Sequence, residues 1–178
     1  MSASPVVFPS SQLSSRRSVH STWVPVILSL VFIAFTSSTL MSGYHTQFVV
    51  SDVWKALFGG WHDDWIGLVN LAGRKFGHFF GYGAIGLLFR NAWHSTLRER
   101  AIRLGVTLVG SRLVAWSTGL SALSIFLVAC LDELHQHFLP QRVGSFGDVL
   151  RDTGGAIFLN LVFWTVRACK RRKAISAV

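Results

Sequence analysis

Four long apolar blocks, each bounded by charge, constrain this chain more than any other feature. Residues 23–41, 76–93, 113–131 and 149–168 form them. Each comes close to the roughly 20 residues a helix needs to cross a hydrocarbon core. Across the 178 residues, 51% are hydrophobic and 14% are charged. The charged share is well below the quarter typical of soluble domains, so the blocks read as membrane spans. We expect an all-α, polytopic membrane helix bundle of four transmembrane helices. The reading divides the chain into a disordered basic leader (1–22), the four-helix domain (23–169) and a basic tail (170–178).

Basic residues set the direction of each span. Arg16 and Arg17 precede the first block, Arg98, Arg100, Arg103 and Arg112 separate the second and third, and Lys170, Arg171, Arg172 and Lys173 follow the fourth. By the positive-inside rule these three segments are cytoplasmic. Asp52, Asp63 and Asp64, then Asp132, Glu133 and Asp148, fall in the two opposite loops. Both termini are therefore expected inside. The first block is longer than a usual signal core and lacks a clear small-residue cleavage site, so a retained anchor is preferred to a cleaved signal peptide or a transit peptide. The first outer loop, residues 42–74, places Trp54, Trp61 and Trp65 among apolar residues. That composition predicts one or two short amphipathic helices at the membrane interface, or a packed lid on the bundle.

The net charge of +9 raises nucleic acid as a partner. The positives are confined to particular loops, with no accompanying nucleic-acid motif, so membrane lipids are the expected partner and nucleic acid is not. Cys130 and Cys169 have no partner at a useful spacing, and neither a disulfide nor a thiolate metal site is expected.

Half of the eight carboxylates gather in residues 132–152, DELHQHFLPQRVGSFGDVLRD. With the topology above, that stretch meets Lys75, His78 and Tyr82 at the outer end of the bundle. Those three are spaced i,i+3 and i,i+4, which puts them on one helix face. Glu133 and Gln136, Asp132 and Gln136, and Asp148 and Asp152 share faces by the same spacing. An acid inside a span is costly unless it faces a partner or a wet cavity, so Asp152 should point into the bundle. Gly77 and Gly81 form a GxxxG pair suited to close helix approach.

Plainer roles compete. Ser145 and Asp148 fit a capping box. Lys75 can snorkel, Tyr82 can donate to a neighbouring helix, and His135 and His137 can simply be solvated. ELHQH lacks the first histidine of H-E-x-x-H, so no metal is expected, and no cofactor either.

Two segments carry a family resemblance. RKFGHFFGYGAIGLL (74–88) and DELHQHFLPQRVGSFGDVLRDTGGA (132–156) resemble motifs of the VanZ-like family of small membrane proteins, and FTSSTLMSG (35–43) resembles the end of that family's first span. Lys75, His78 and Tyr82 fall on the first motif. Asp132, Glu133, Gln136, Pro140, Arg142, Ser145, Asp148 and Asp152 fall on the second. Gly81 stands where relatives often carry glutamate, which removes one carboxylate from the expected site, and Gln141 replaces a usual glycine. The resemblance implies a bacterial inner-membrane protein of the cell envelope. The family's namesake is associated with low-level resistance to the glycopeptide teicoplanin.

Two functions stay open. In one, an outer-face polar pocket binds a lipid-linked or peptidoglycan-related head group, or a glycopeptide, through Lys75, His78, Tyr82, Asp132, Glu133, Gln136, Arg142, Asp148 and Asp152. In the other, a membrane-embedded enzyme modifies such a head group, with His78 as base, Glu133 orienting it and Tyr82 or Arg142 stabilising charge. A transporter is disfavoured because the inner halves of the spans are almost uncharged.

Overall fold

Among the described residues the apolar blocks are helical, the first as far as Thr36, and most of the helices overrun their blocks. A computed structural model describes residues 19–38, 43–59, 65–106, 110–139 and 144–175. These hold five helices and no strand: α1 (Val19–Thr36), α2 (Gly43–Phe58), α3 (Trp65–Arg103), α4 (Gly110–His137) and α5 (Phe146–Ile175). α2 lies between the first two blocks, where one or two short helices are expected, and Trp65 begins α3 rather than a separate helix. No proline or other breaker separates it from the second block, so the 39-residue helix runs on for about 58 Å at 1.5 Å per residue. α5 likewise continues into the basic tail.

α3 is the axis of the fold: it packs against all four other helices, and α4 and α5 also pack on each other. α4 runs opposite to α3. Tyr82, early in the shared interface, meets Asp132, whereas Trp93, late in it, donates to Ser124 at 3.1 Å. α5 runs parallel to α3, because His78 meets Asp152, Gly83 meets Leu159 and Arg90 meets Phe163 in step along both chains. The first turns of α1 lie against the last third of α3, where Trp23 donates to Thr96 (3.1 Å) and packs edge-on against Phe89 and Trp93.

The bundle is apolar outside and partly polar within. Ile27, Phe32, Leu123, Leu127, Leu161 and Trp164 are all exposed, while Thr22, Ser117, Ser121, Asp132, Asp152 and Asn160 are buried beside Ile125, Ala129 and Ala156. On α4 the buried positions Ser117, Ser121, Ile125 and Ala129 recur every fourth residue and lead to Asp132, Glu133 and Gln136. Two helices, α1 and α4, are long and apolar enough by length and composition to cross a membrane.

Small residues do allow one close helix contact, though not at the expected pair. A Cβ added at Gly77 or Gly81 would meet nothing within 4 Å, whereas one at Gly155 would lie 2.0 Å from the Phe79 carbonyl oxygen, and one at Gly83 would lie 2.9 Å from the Gly155 oxygen. The helix approach therefore belongs to Gly83, Gly86 and Gly155, which face the α3–α5 seam. Gly77 and Gly81 lie on another face of α3.

Gly155→Ala should push α3 and α5 apart and destabilise the fold by roughly 3 kcal/mol, whereas Gly77→Ala should be close to neutral. Thermal unfolding of the detergent-solubilised protein measures both, and equal effects at the two positions would contradict the assigned seam.

Candidate functional site

Where α3, α4 and α5 converge near the α4–α5 connection, the buried stripe ends in carboxylates. Asp132 and Glu133 are each 7% exposed and Asp152 is 1% exposed. Each carboxylate is reached from another element. Tyr82 donates its hydroxyl to Asp132 Oδ2 at 2.9 Å, and Gln136 Nε2, one turn further along α4, donates to the same oxygen at 3.0 Å. His78 Nδ1 lies 3.3 Å from Asp152 Oδ2, with 34% of the His78 side chain exposed. His78 and Tyr82 stack, their ring centroids 5.9 Å apart. The i,i+4 spacing on α3 thus serves two partners: His78 faces α5 and Tyr82 faces α4.

Glu133 serves a different purpose from the one expected. Its Oε2 accepts the backbone N–H of Ser145 at 2.7 Å. Ser145 is indeed the N-cap of α5, since its hydroxyl accepts the Gly147 N–H at 3.2 Å. In a capping box Asp148 would take the Ser145 N–H, but Glu133 takes it across the α4–α5 connection, and Asp148 pairs with Arg151. The exchange is possible because Gly144 has no side chain. A Cβ there would lie 2.4 Å from the Glu133 carbonyl oxygen, so only glycine lets the loop approach α4 so closely. Glu133 therefore does not orient His78; Asp152 does.

The expected site residues separate into two groups. His78, Tyr82, Asp132, Gln136 and Asp152 form one connected cluster, with Glu133 beside it at the cap. Lys75 is exposed, and Asp148 sits at the margin with Arg151. Arg142, with Pro140 and Gln141, lies outside the described residues. His135 and His137 are exposed. Gly81 is exposed as well, so its position lies away from the cluster and glycine there takes no carboxylate from it.

One participant escaped the sequence reading: Arg74 is half-buried and its charge reaches His78 from one turn away. The i,i+4 series 74, 78, 82 was the available signal. Away from the cluster, Ser121 donates to the Gly86 carbonyl oxygen at 2.5 Å and Asn160 to that of Ala156 at 2.9 Å.

Among the described residues two buried acceptors on α5 are left over, Asn160 Oδ1 two turns beyond the cluster and Asp152 Oδ1 within it. Asp152 Oδ1 is buried with no hydrogen-bond partner among the described residues. A buried carboxylate oxygen without a donor costs of order 1–3 kcal/mol, so the cluster is suited to receiving a donor from outside itself.

These features define a helical bundle, apolar outside, whose carboxylates are held by donors from neighbouring helices at one end. The family model of VanZ/LLP1 matches residues 3–167, and the chain belongs to that family. No curated protein and no solved structure matches it.

Burial pushes the Glu133 carboxyl above the ordinary carboxylate range, against the pull of the Ser145 N–H, and Asp148, Asp132 and Asp152 add repulsion in the same direction as burial. The folded chain then keeps a proton that the unfolded chain releases. This contribution is present below the unfolded value and fades as pH rises through the raised one. The thermal midpoint of the wild type should fall over that window more steeply than that of Glu133→Gln, which still accepts the Ser145 N–H. Parallel profiles would contradict the assignment.

Proposed function

We propose that the chain is a four-span protein of the bacterial inner membrane, both termini cytoplasmic, whose outer-face cluster binds the head group of a lipid-linked or peptidoglycan-related envelope molecule. Three features support the spanning reading. The exposed shell is apolar where lipid would lie, α3 and α4 run in opposite directions, and α3 and α5 run in the same one. The α1–α3 contact through Trp23 supports a retained first span. With the basic segments inside, the carboxylate cluster comes to the outer surface.

The observation that carries the binding reading is Asp152 Oδ1, buried, without a donor, and beside a partly exposed His78. A sugar hydroxyl or amide N–H would satisfy it, while His78 reads a second polar group. Arg74, Lys75 and Arg142 flank this end in sequence and would meet a phosphate or carboxylate on the same molecule. Glu133 holds the α5 cap that sets the position of Asp152.

A second reading has one specific observation in its favour. His78 Nδ1 against Asp152 is a histidine–carboxylate pair, which fixes the ring and leaves Nε2 free to take a proton. In that reading the protein modifies the head group, with Asp152 rather than Glu133 as the orienting acid. The association of the family's namesake with teicoplanin would follow from either reading if the bound molecule is the drug's target or its precursor.

Native mass spectra of the purified protein should contain a co-purifying envelope lipid. Asp152→Ala and Arg142→Ala should each cut its retention about tenfold, the scale of one charge-assisted hydrogen bond. Unchanged retention in both variants would defeat the binding reading. Turnover of labelled lipid-linked precursor by wild type, abolished in His78→Ala, would establish the enzyme instead.

A further inference from the structure

Two arginines sit inside the apolar blocks with no role so far: Arg90 on α3 and Arg167 on α5. They meet over one ring. The Arg90 guanidinium carbon lies 4.2 Å from the centroid of Phe163 and that of Arg167 lies 5.7 Å from it. Arg90 Nε is buried and has no hydrogen-bond partner among the described residues. His94 and Arg98 continue the Arg90 face at i,i+4 spacing, and the charges of Arg90, Arg98 and Arg167 all reach His94.

No carboxylate among the described residues pairs with any of these four groups. Glu99, the nearest acid in sequence, pairs with Arg103. The carboxylate cluster is at the other end of the bundle, since Asp152 and Arg167 are about 22 Å apart along α5 at 1.5 Å per residue. Like charges converge here, Arg90 and His94 partly buried and Arg98 and Arg167 exposed on the apolar flank of the bundle, an arrangement that costs free energy in lipid unless an anion completes it. Simple snorkelling would carry the Arg90 head group out to water, yet its Nε is buried and its guanidinium lies on an aromatic face.

We infer that the α3–α5 seam at the cytoplasmic end binds a phosphoryl anion between Arg90 and Arg167. A guanidinium pair offers the planar forks that grip phosphate oxygens in bidentate fashion. The anion belongs to a phospholipid head group or is free phosphate. Phe163 and Trp164, both exposed beside the pair, would lie along acyl chains in the first case. The site rests on the membrane-spanning reading above, and not on the head-group cluster at the opposite end.

The test uses the full chain in nanodiscs of phosphatidylcholine with a minority of phosphatidylglycerol. After release into the mass spectrometer, the wild type should retain phosphatidylglycerol over phosphatidylcholine by about tenfold. Arg90→Gln combined with Arg167→Gln should abolish the preference, and Arg167→Lys should keep part of it. In a second arm, delipidated protein in detergent is titrated with inorganic phosphate. Lipid preference without phosphate binding assigns the site to a phospholipid, and arginine-dependent phosphate binding without lipid preference assigns it to free phosphate. Absence of both overturns the site. Circular dichroism checks folding, and the exposed Arg167→Gln alone decides the matter if the double variant unfolds. A chain that fails to enter nanodiscs sinks the spanning reading and this site together; one that enters but shows neither lipid preference nor phosphate binding sinks this site alone.

Discussion

Two buried carboxylates organise this bundle. Asp132 on α4 and Asp152 on α5 are buried, so each needs a donor within the bundle, and adjacent turns of α3 supply one to each. Tyr82 and His78 thereby fix the rotation of α3 against two partners at once. The seam of Gly83, Gly86 and Gly155 brings α3 and α5 close enough for this, and the Glu133–Ser145 contact starts α5 at the matching height. Among apolar helices in lipid there is little hydrophobic force between neighbours, and such polar contacts and close packing take its place.

The sequence revealed the apolar blocks and the residues of the cluster, because hydropathy and helical spacing are local properties. It revealed that Asp152 turns inward for the same reason. Pairing was not legible. Spacing puts Lys75, His78 and Tyr82 on one face but does not say which neighbour each meets, and the acid beside His78 proved to be Asp152 rather than Glu133. Nor does a capping box announce that its acid will be supplanted from another helix; that depended on the approach allowed by Gly144. The GxxxG pair misled because two glycines four apart mark a smooth face without saying that a helix lies against it. Arg74 was overlooked beside Lys75 because their side-chain types are equivalent until burial distinguishes them.

The two ends of the bundle differ in charge. One collects acids, with Asp152 Oδ1 lacking a donor, and the other collects arginines, where the acid Glu99 pairs with Arg103 and not with Arg90 or Arg167. In a membrane this polarity matches the positive-inside rule, with the acids outside and the cations at the inner leaflet. The proposed functions follow from that arrangement: recognition of hydroxyl or amide donors at one surface, and of a phosphoryl group at the other.

Sidedness is the most direct point of attack. Cys130 and Cys169 would be replaced by serine, and a single cysteine introduced either as His137→Cys or as Arg103→Cys, two exposed positions at opposite ends of the bundle. A membrane-impermeant maleimide applied to intact cells should label position 137 and spare position 103 until the membrane is permeabilised. Labelling of position 103 with protection of 137 would invert the bundle and contradict the placement of the carboxylate cluster at the outer surface.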